Sequence, residues 1–206
     1  MTRIASPPIS NPFATRFVRP GAIPFLFPPA IDAARLVARL AGLDWRGAIV
    51  GPHGSGKSTL LESLRPELLL AGRRVVHFAL HDGERSLPPT PRESRLWNSE
   101  TLMIVDGYEQ LSAWNRWRLE RRPRRFGCGL LVTSHGPTRL PELYRTAVDC
   151  ELLERIVERV VGGARRLISA DDVRRAFSLH GQNVREALFA LYDLQECRFR
   201  EARARS

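Results

Sequence analysis

Short apolar runs alternate with amphipathic stretches over most of this chain. The runs predict strands at residues 46–50, 74–80, 101–106 and 129–133, and a short fifth strand near 146–150. Apolar residues at helical spacing predict helices from Asp32, from Gly56 with a disturbance at Pro66, and at 109–120 and 151–161. Strands that are apolar along their whole length are typical of a sheet covered on both faces. The pattern therefore predicts an α/β fold, a three-layer sandwich around a parallel sheet of about five strands.

The N-terminal segment departs from this alternation. Residues 1–29 hold seven of the 15 prolines, and each proline fixes φ and removes a backbone donor. The segment also carries four phenylalanines that favour burial: Phe13, Phe17, Phe25 and Phe27. We therefore expect an extended arm that lies on the domain, with its first ten residues loose.

The C-terminal segment predicts two helices after the last strand, at 169–177 and 183–194, which we interpret as a small helical lid. The predicted parts are a proline-rich arm at 1–29, a core at 30–165, and the lid with a basic tail at 166–206.

The loop between the first strand and the next helix carries a phosphate-binding motif. Gly51-Pro-His-Gly-Ser-Gly-Lys-Ser58 fits the pattern G-x-x-x-x-G-K-[ST] of P-loop nucleotide hydrolases. Lys and Arg number 32 together, yet Lys57 is the only lysine, at a place where a compact ammonium and a planar guanidinium are not interchangeable. The motif predicts that Lys57 reaches the β and γ phosphates and that the Ser58 hydroxyl ligates Mg²⁺. The predicted nucleotide-binding segment is Gly51, Pro52, His53, Gly54, Ser55, Gly56, Lys57, Ser58 and Thr59, in which His53 and Ser55 occupy variable positions.

A second motif is the apolar run Leu102-Met-Ile-Val-Asp106, which has the Walker B form. We expect its strand to end beside the P-loop, where Asp106 would hold Mg²⁺ through water. Many ATPases of this kind place a catalytic Glu directly after that Asp, but here the position is Gly107. The nearest acid, Glu109, is either the base or a helix N-terminal residue favoured by the dipole. With the second interpretation, hydrolysis is slow and the protein is an ATP-dependent switch.

Further candidates for contacts with the γ-phosphate lie downstream. Thr133 and Ser134 end the fourth strand, where a sensor side chain would stand; the alternative is an ordinary strand end held by turn bonds. Arg185, near the start of the last helix, is either a lid arginine directed at the γ-phosphate or a surface arginine. Arg139 and Arg145 lie where an arginine finger acting on a neighbouring subunit would project.

The charge of the chain favours a polyanionic partner. The formal net charge is +10 and the pI is about 10.9, although a preference for Arg is also typical of a GC-rich coding sequence. The stretch from Arg116 to Arg125 is the best candidate contact with nucleic acid, and the basic tail from Arg198 is the second. Among the neighbouring apolar residues, we expect Leu111 and Trp114 to pack inward.

Other features of the composition narrow the class of protein. No apolar run approaches the ~18 residues that span a membrane, so we expect no membrane partner. Three scattered cysteines without a CxxC pair argue against a disulfide framework and against a zinc site. These features favour a cytoplasmic location.

The order of P-loop, Walker B strand, sensor strand and helical lid resembles the AAA+ ATPase superfamily, over roughly residues 30–200. The run Asn183-Val-Arg-Glu186 is similar to the lid of the bacterial replication-initiator and helicase-loader branch. The chain departs from the family in Gly107, in a compressed lid and in having no separate DNA-binding domain. The resemblance implies ATP with Mg²⁺, assembly into a ring or filament, and the loading or remodelling of a macromolecule. It also implies that Phe25 and Phe27 lie near the adenine, with core packing as the alternative.

Two other functions remain open. A P-loop kinase acting on a small molecule would place its Walker B strand next to the P-loop strand, with no sensor strand between them. The order of strands in the sheet therefore separates the kinase from the ATPase. A nucleotide switch that does not hydrolyse ATP is the other alternative.

Overall fold

The computed structural model describes residues 11–14, 21–81, 83–87, 97–161 and 167–204, and of residues 122–126 it describes the backbone. Two compact units emerge: Pro24–Ala147 forms one, and the described parts of Met1–Ile23 and Val148–Ser206 form the other. The domain divisions expected after residues 29 and 165 stay a prediction. The ten residues expected to be loose lie outside the described part of the chain.

A five-stranded parallel sheet forms the centre of the first unit. Its strands are β1 (Arg46–Val50), β2 (Arg74–Ala79), β3 (Thr101–Asp106), β4 (Gly129–Ser134) and β5 (Glu142–Arg145). The order across the sheet is β2-β3-β4-β1-β5, and each neighbouring pair is parallel. The sheet confirms the predicted α/β fold with its five strands.

The fifth strand was predicted too late in the chain. It was expected near 146–150, but pairing with β1 occurs at Glu142–Arg145. The buried anchor of this strand is Leu143, which packs in the same cluster as Ile49 of β1. Val148 is also buried, but it follows the strand and is grouped with the second unit, so its burial does not mark a strand of this sheet.

Helices cover both faces of the sheet. One face packs against α1 (Ala33–Gly42) and α2 (Lys57–Leu70), and the other packs against α3 (Ala113–Phe126) with the short 3₁₀ turn Tyr108–Gln110 before it. Successive residues of β1 alternate between these two cores, since Ala48 and Val50 lie on one side and Ile49 on the other. Burial on both sides explains why the strands are apolar along their whole length.

The ends of the helices follow from local chemistry, with two departures from expectation. Asp32 is the N-cap of α1, as predicted, and accepts a hydrogen bond from Arg35 N at 2.7 Å. Helix α2 continues through Pro66 to Leu70, because the fully buried Leu64 and Leu68 hold it against the sheet. The helix expected at 109–120 starts later, at Ala113.

The later start of α3 follows from two buried side chains. Tyr108 and Leu111 both face the core, and the chain passes between them as a 3₁₀ turn that ends in extended backbone at Leu111. The Ser112 hydroxyl then accepts a hydrogen bond from Asn115 N at 3.3 Å, which is the bond of an N-cap.

Three helices form the second unit: α4 (Cys150–Val161), α5 (Ala170–His180) and α6 (Val184–Ala204). The two predicted lid helices are α5 and α6, and α6 extends ten residues beyond its predicted end at 194. Phe13 of the arm is fully buried in the core of this unit, as expected. The Asn11 amide holds it there by donating to Tyr192 O at 3.1 Å and to Glu196 Oε1 at 2.9 Å. Among the described helices of both units, none has the length and apolar content that a bilayer span requires.

A partly buried acid, Asp172, joins α5 and α6. Ser169 and Asp172 form a capping box at the start of α5, and Arg198 of α6 donates two hydrogen bonds to Asp172, at 2.6 and 2.9 Å. These bonds from Arg198 hold the pKa of Asp172 well below its usual range. The charged form is therefore favoured in the folded state, so its contribution to stability is present above the unfolded pKa of about 3.9 and is lost as the pH falls below it.

We expect Asp172→Asn to lower the free energy of unfolding by about 1–3 kcal/mol at pH 7, because Arg198 loses a charged partner. The variant should also lose less stability than the parent protein between pH 5 and pH 2. Urea unfolding followed by circular dichroism measures both effects. Asp171→Asn is the matched control, since the Asp171 side chain is 85% exposed. An equal loss of stability in both variants would contradict the proposed role of the Asp172–Arg198 pair.

Candidate nucleotide-binding site

The P-loop joins the carboxyl end of β1 to α2 with left-handed backbone at two glycines. Gly54 has φ of +71° and Gly56 has φ of +91°, a conformation that costs other residues energy. Gly56 is the N-cap of α2 and supplies no side-chain hydrogen bond to the first turn. The helix therefore directs backbone amides that have no side-chain cap into the loop, as an anion site requires.

Lys57 is held inside this loop. Its side chain is largely buried, with 8% exposed. Its Nζ donates to two carbonyl oxygens of the loop, Gly51 O at 2.7 Å and Pro52 O at 2.6 Å. An ammonium has three donors and fits among such carbonyls, whereas a guanidinium presents a wider planar fork. The ammonium therefore lies where phosphate oxygens enter a P-loop.

Thr146, which the sequence did not reveal as part of the site, supports the P-loop by contacts with Ser55 and Gly51. We call these contacts the Thr146 brace. The Thr146 hydroxyl lies 2.6 Å from the Ser55 hydroxyl, and its backbone N donates to Val50 O at 2.8 Å. Both side chains are buried. A Cβ on Gly51 would lie 2.0 Å from the Thr146 hydroxyl and 2.6 Å from its carbonyl oxygen. Gly51 is therefore required by close packing. Thr146 was missed because the fifth strand was placed four residues too late.

Asp106 is brought to the same edge of the sheet and is oriented by Thr133. The Thr133 hydroxyl donates to Asp106 Oδ1 and accepts from Gly107 N at 2.9 Å. Strand β4, which carries Thr133, lies between β1 and β3. The structure thus places Thr133 against the Walker B acid. A contact between Thr133 and the γ-phosphate stays a prediction.

Ser134 has bonds that fit the strand-end alternative. Its carbonyl oxygen accepts from Gly51 N at 3.1 Å, which ties β4 to the start of the P-loop. Its hydroxyl accepts from Gly136 N at 3.3 Å, a bond typical of a turn. The backbone of Ser134 therefore supports the loop, while its hydroxyl is engaged in the turn that follows.

Glu109 pairs with a histidine that directly follows β4. Its Oε1 lies 3.1 Å from His135 Nε2, and the His135 ring meets the edge of the His53 ring of the P-loop at 5.3 Å between centroids. The other carboxylate oxygen, Oε2, is buried and has no hydrogen-bond partner in the described part of the chain. Helix α3 begins only at Ala113, and Glu109 lies in the 3₁₀ turn before it. Both interpretations of Glu109, as the base and as a helix N-terminal residue, stay predictions.

The remaining predicted side chains are spread over both units. Arg185 is exposed in the first turn of α6, in the second unit. Arg139 is exposed in the loop after β4, and Arg145 pairs with Glu142 on its own strand. Their proposed contacts with a γ-phosphate stay predictions.

Phe25 of the arm lies next to the P-loop. A Cβ on Gly56 would lie 3.6 Å from the Phe25 ring, and Phe25 N donates to the Ser63 hydroxyl of α2 at 3.0 Å. The ring also meets Phe27 edge to face at 5.0 Å. This segment of the arm therefore packs beside the predicted phosphate site, while Phe17 lies outside the described residues.

Helix α3 corrects one expectation about the basic region. Leu111 is buried as predicted, but Trp114 does not pack inward: 64% of it is exposed. The reason is which face of the helix meets the core: that face carries Leu119, which is buried against the sheet, and Trp114 lies on another face. Arg116 is also less available than predicted, because it donates to Leu111 O at 2.8 Å and to Glu109 O at 3.0 Å.

Comparison with known proteins supports the fold. No protein-family model matches the chain, and no curated protein matches it. A solved Walker-type ATPase of Pyrococcus abyssi is similar in structure, with a TM-score of 0.51 and 11% identity over 84% of this chain and 75% of that one. PCH-2 of C. elegans matches more weakly, with a TM-score of 0.38 and 13% identity over 81% of this chain and 66% of that one. The chain thus has the P-loop ATPase fold that its motifs predicted.

The order of the strands also separates two of the expected functions. Strand β4 lies between the P-loop strand β1 and the Walker B strand β3. This is the arrangement expected of the ATPase, and it differs from the adjacent β1 and β3 that the small-molecule kinase requires.

We expect Gly51→Ala to displace the P-loop, because the new Cβ would meet both the side chain and the backbone of Thr146. The variant should melt at a lower temperature and lose at least about tenfold in affinity for ATP, a loss of about 1.4 kcal/mol. Differential scanning fluorimetry and calorimetric titration measure the two effects. Gly136→Ala is the matched control, because nothing lies within 4 Å of its added Cβ. Unchanged ATP affinity in Gly51→Ala would contradict the role of the brace.

Proposed function

We propose that this protein is an AAA+-like ATPase that binds Mg²⁺-ATP at the P-loop and couples the state of the nucleotide to a macromolecular partner. The observation that carries the proposal is that Lys57, inside the loop after β1, and Asp106, at the end of β3, lie at the same edge of the sheet. Thr133 of the intervening strand β4 bonds Asp106 and orients it. Glycine backbone, an uncapped helix N-terminus, a lysine and an acid are together the parts that hold a nucleoside triphosphate.

Each of these parts has a defined task. The amides of the loop and of the first turn of α2 would bind phosphate oxygens, and Lys57 would bond the β and γ phosphates. The Ser58 hydroxyl and Asp106 would hold the metal. The described residues contain no cluster of three His, Cys, Asp or Glu side chains that would hold a metal alone. A site with one hydroxyl and one carboxylate fits Mg²⁺, because Mg²⁺ binds through few carboxylates together with substrate phosphates and neutralises charge on those phosphates.

Glu109 is the acid that supports hydrolysis in this proposal. Its Oε2 is a buried acceptor without a partner in the described residues, so it is able to take a hydrogen bond from the attacking water. His135 fixes the other oxygen of the carboxylate. Ser134 supports the P-loop through its backbone, and Arg185 is assigned the lid contact with the γ-phosphate.

In this chain the usual position of the catalytic acid, directly after Asp106, has no room for a side chain. Gly107 has φ of +86°, and a Cβ there would lie 2.8 Å from Leu80 O. A glutamate at this position would therefore be strained, which explains why the nearest carboxylate comes two residues later. A base on a separate turn, tied to His135, supports slow hydrolysis. The second candidate function, a switch that binds ATP without hydrolysing it, is favoured by the same Gly107.

The partner is proposed from charge. A net charge of +10 favours nucleic acid, with the arginines of α3 as the contact. Assembly into a ring or filament, and a cytoplasmic location, belong to the same proposal.

We expect Lys57→Ala and Lys57→Arg to lose Mg²⁺-ATP binding by at least about a hundredfold, because neither side chain replaces a buried ammonium bonded to the loop. Equilibrium dialysis with labelled ATP measures the affinity. Arg65→Ala is the control, as Arg65 lies on the same helix and pairs with Glu62 on its surface. Parent-like ATP affinity in both Lys57 variants would refute the nucleotide site.

We expect Glu109→Gln to keep ATP affinity and to lower the rate of single-turnover hydrolysis by about 10²–10⁴, the usual contribution of a general base. His135→Ala should lower the rate by a smaller factor. Glu100→Gln is the control, because Glu100 is exposed just before β3, at its amino end. Equal rates in Glu109→Gln and the parent would return Glu109 to a structural role. No hydrolysis in the parent would favour the switch.

A further inference from the structure

Helix α3 carries an exposed face made of two tryptophans and two arginines. Trp114, Trp117, Arg118 and Arg121 stand at i, i+3, i+4 and i+7, which is the spacing of one helix face. All four side chains are exposed. We call this face the Trp–Arg platform.

The platform is an ordered arrangement of rings. The Trp114 and Trp117 rings are stacked, with centroids 4.9 Å apart and planes at 24°. The Arg121 guanidinium lies over the Trp117 ring at 4.5 Å from its centroid. Trp114 is 64% exposed and Trp117 is 39% exposed, so flat π surface remains open to solvent. Two adjacent exposed aromatic rings are the kind of contiguous apolar surface that binding sites present.

The charge around the platform identifies the chemistry of its ligand. Helix α3 contains six arginines and one acid, Glu120. Glu120 is engaged on the inner side of the helix, where its carboxylate accepts from the Tyr108 hydroxyl at 2.6 Å. Arg116 is likewise engaged with backbone carbonyls. The outward face therefore offers aromatic rings and positive charge without a competing carboxylate in the described side chains of the helix.

We propose that the Trp–Arg platform binds single-stranded nucleic acid, with an unpaired base stacked on the open face of Trp114 and backbone phosphates on Arg118 and Arg121. Open rings flanked by arginines are the arrangement that holds a single strand, because every base has a π face and every linkage has a charge. In a duplex the bases already stack on one another and their faces are closed to the platform. This inference rests on the proposed nucleic-acid partner, but it does not rest on ATP binding.

The test titrates the full-length protein, free of nucleotide, with oligo(dT) of about 16 nucleotides, the upper site size of a single binding module. Fluorescence anisotropy of the labelled oligonucleotide measures affinity at several salt concentrations. We expect Trp114→Ala to weaken binding at least about fivefold, the lower end of the loss of one stacking contact, with an unchanged salt dependence. The double variant Arg118→Ala/Arg121→Ala should weaken binding and also reduce the slope of log K against log salt by about 1.4.

Two controls separate the platform from general effects. Phe189→Ala removes an aromatic side chain that is 39% exposed elsewhere, and Arg155→Ala/Arg159→Ala removes two exposed charges from α4. Both should bind oligo(dT) as the parent does. The inference is overturned if Trp114→Ala binds as the parent does, or if a duplex with the same number of phosphates binds as tightly. Binding of polyglutamate that depends on Trp114 in the same way would also overturn it and identify an acidic protein partner.

The same proteins distinguish this inference from the proposed ATPase. Nucleotide-free Lys57→Ala should bind oligo(dT) as tightly as the nucleotide-free parent, although it fails to bind ATP. A parent that binds oligo(dT) through Trp114 but does not bind ATP refutes the ATPase and leaves the platform standing. A parent that binds ATP but not oligo(dT) does the reverse.

Discussion

Strand β4 is the constraint on which the rest of this site depends. Its last two residues bond the segments on either side. The Thr133 hydroxyl donates to Asp106 at the end of β3, and the Ser134 carbonyl accepts from Gly51 N at the start of the P-loop. Parallel pairing brings the carboxyl ends of β1, β4 and β3 to one edge of the sheet, so that Lys57 and Asp106 lie at the same edge although 49 positions separate them in sequence. Ligands of open α/β sheets bind at this edge for the same reason.

Backbone packing sets the limits of the chemistry here. Thr146 leaves no room for a side chain at Gly51, and Leu80 O leaves none at Gly107, where the backbone is also left-handed. The first contact holds the phosphate loop in its curled form. The second prevents a carboxylate directly after Asp106, so the acid nearest the site is carried by the following turn and held by His135. Close backbone packing therefore fixes the residue type at both Gly51 and Gly107.

Helix α3 connects this acid to the surface. Arg116 uses its guanidinium to hold the carbonyls of Glu109 and Leu111, and so fixes the turn on which Glu109 stands. The opposite side of the same helix presents the Trp–Arg platform. One helix therefore carries both the platform and the arginine that holds the turn of the proposed base.

Much of the fold was determined by the sequence alone. The apolar runs predicted four of the five strands, and the glycines with Lys57 predicted the loop, because local spacing and backbone freedom decide both. The sequence did not place the fifth strand or Thr146, since the buried Val148 lies outside the sheet and the Ser55–Thr146 bond joins residues 91 positions apart. The prediction that Trp114 packs inward was also wrong, because the presence of an aromatic residue does not reveal which face of its helix meets the core. Only the tertiary structure decided these points, along with the strand order, since each depends on contacts between segments that are distant along the chain.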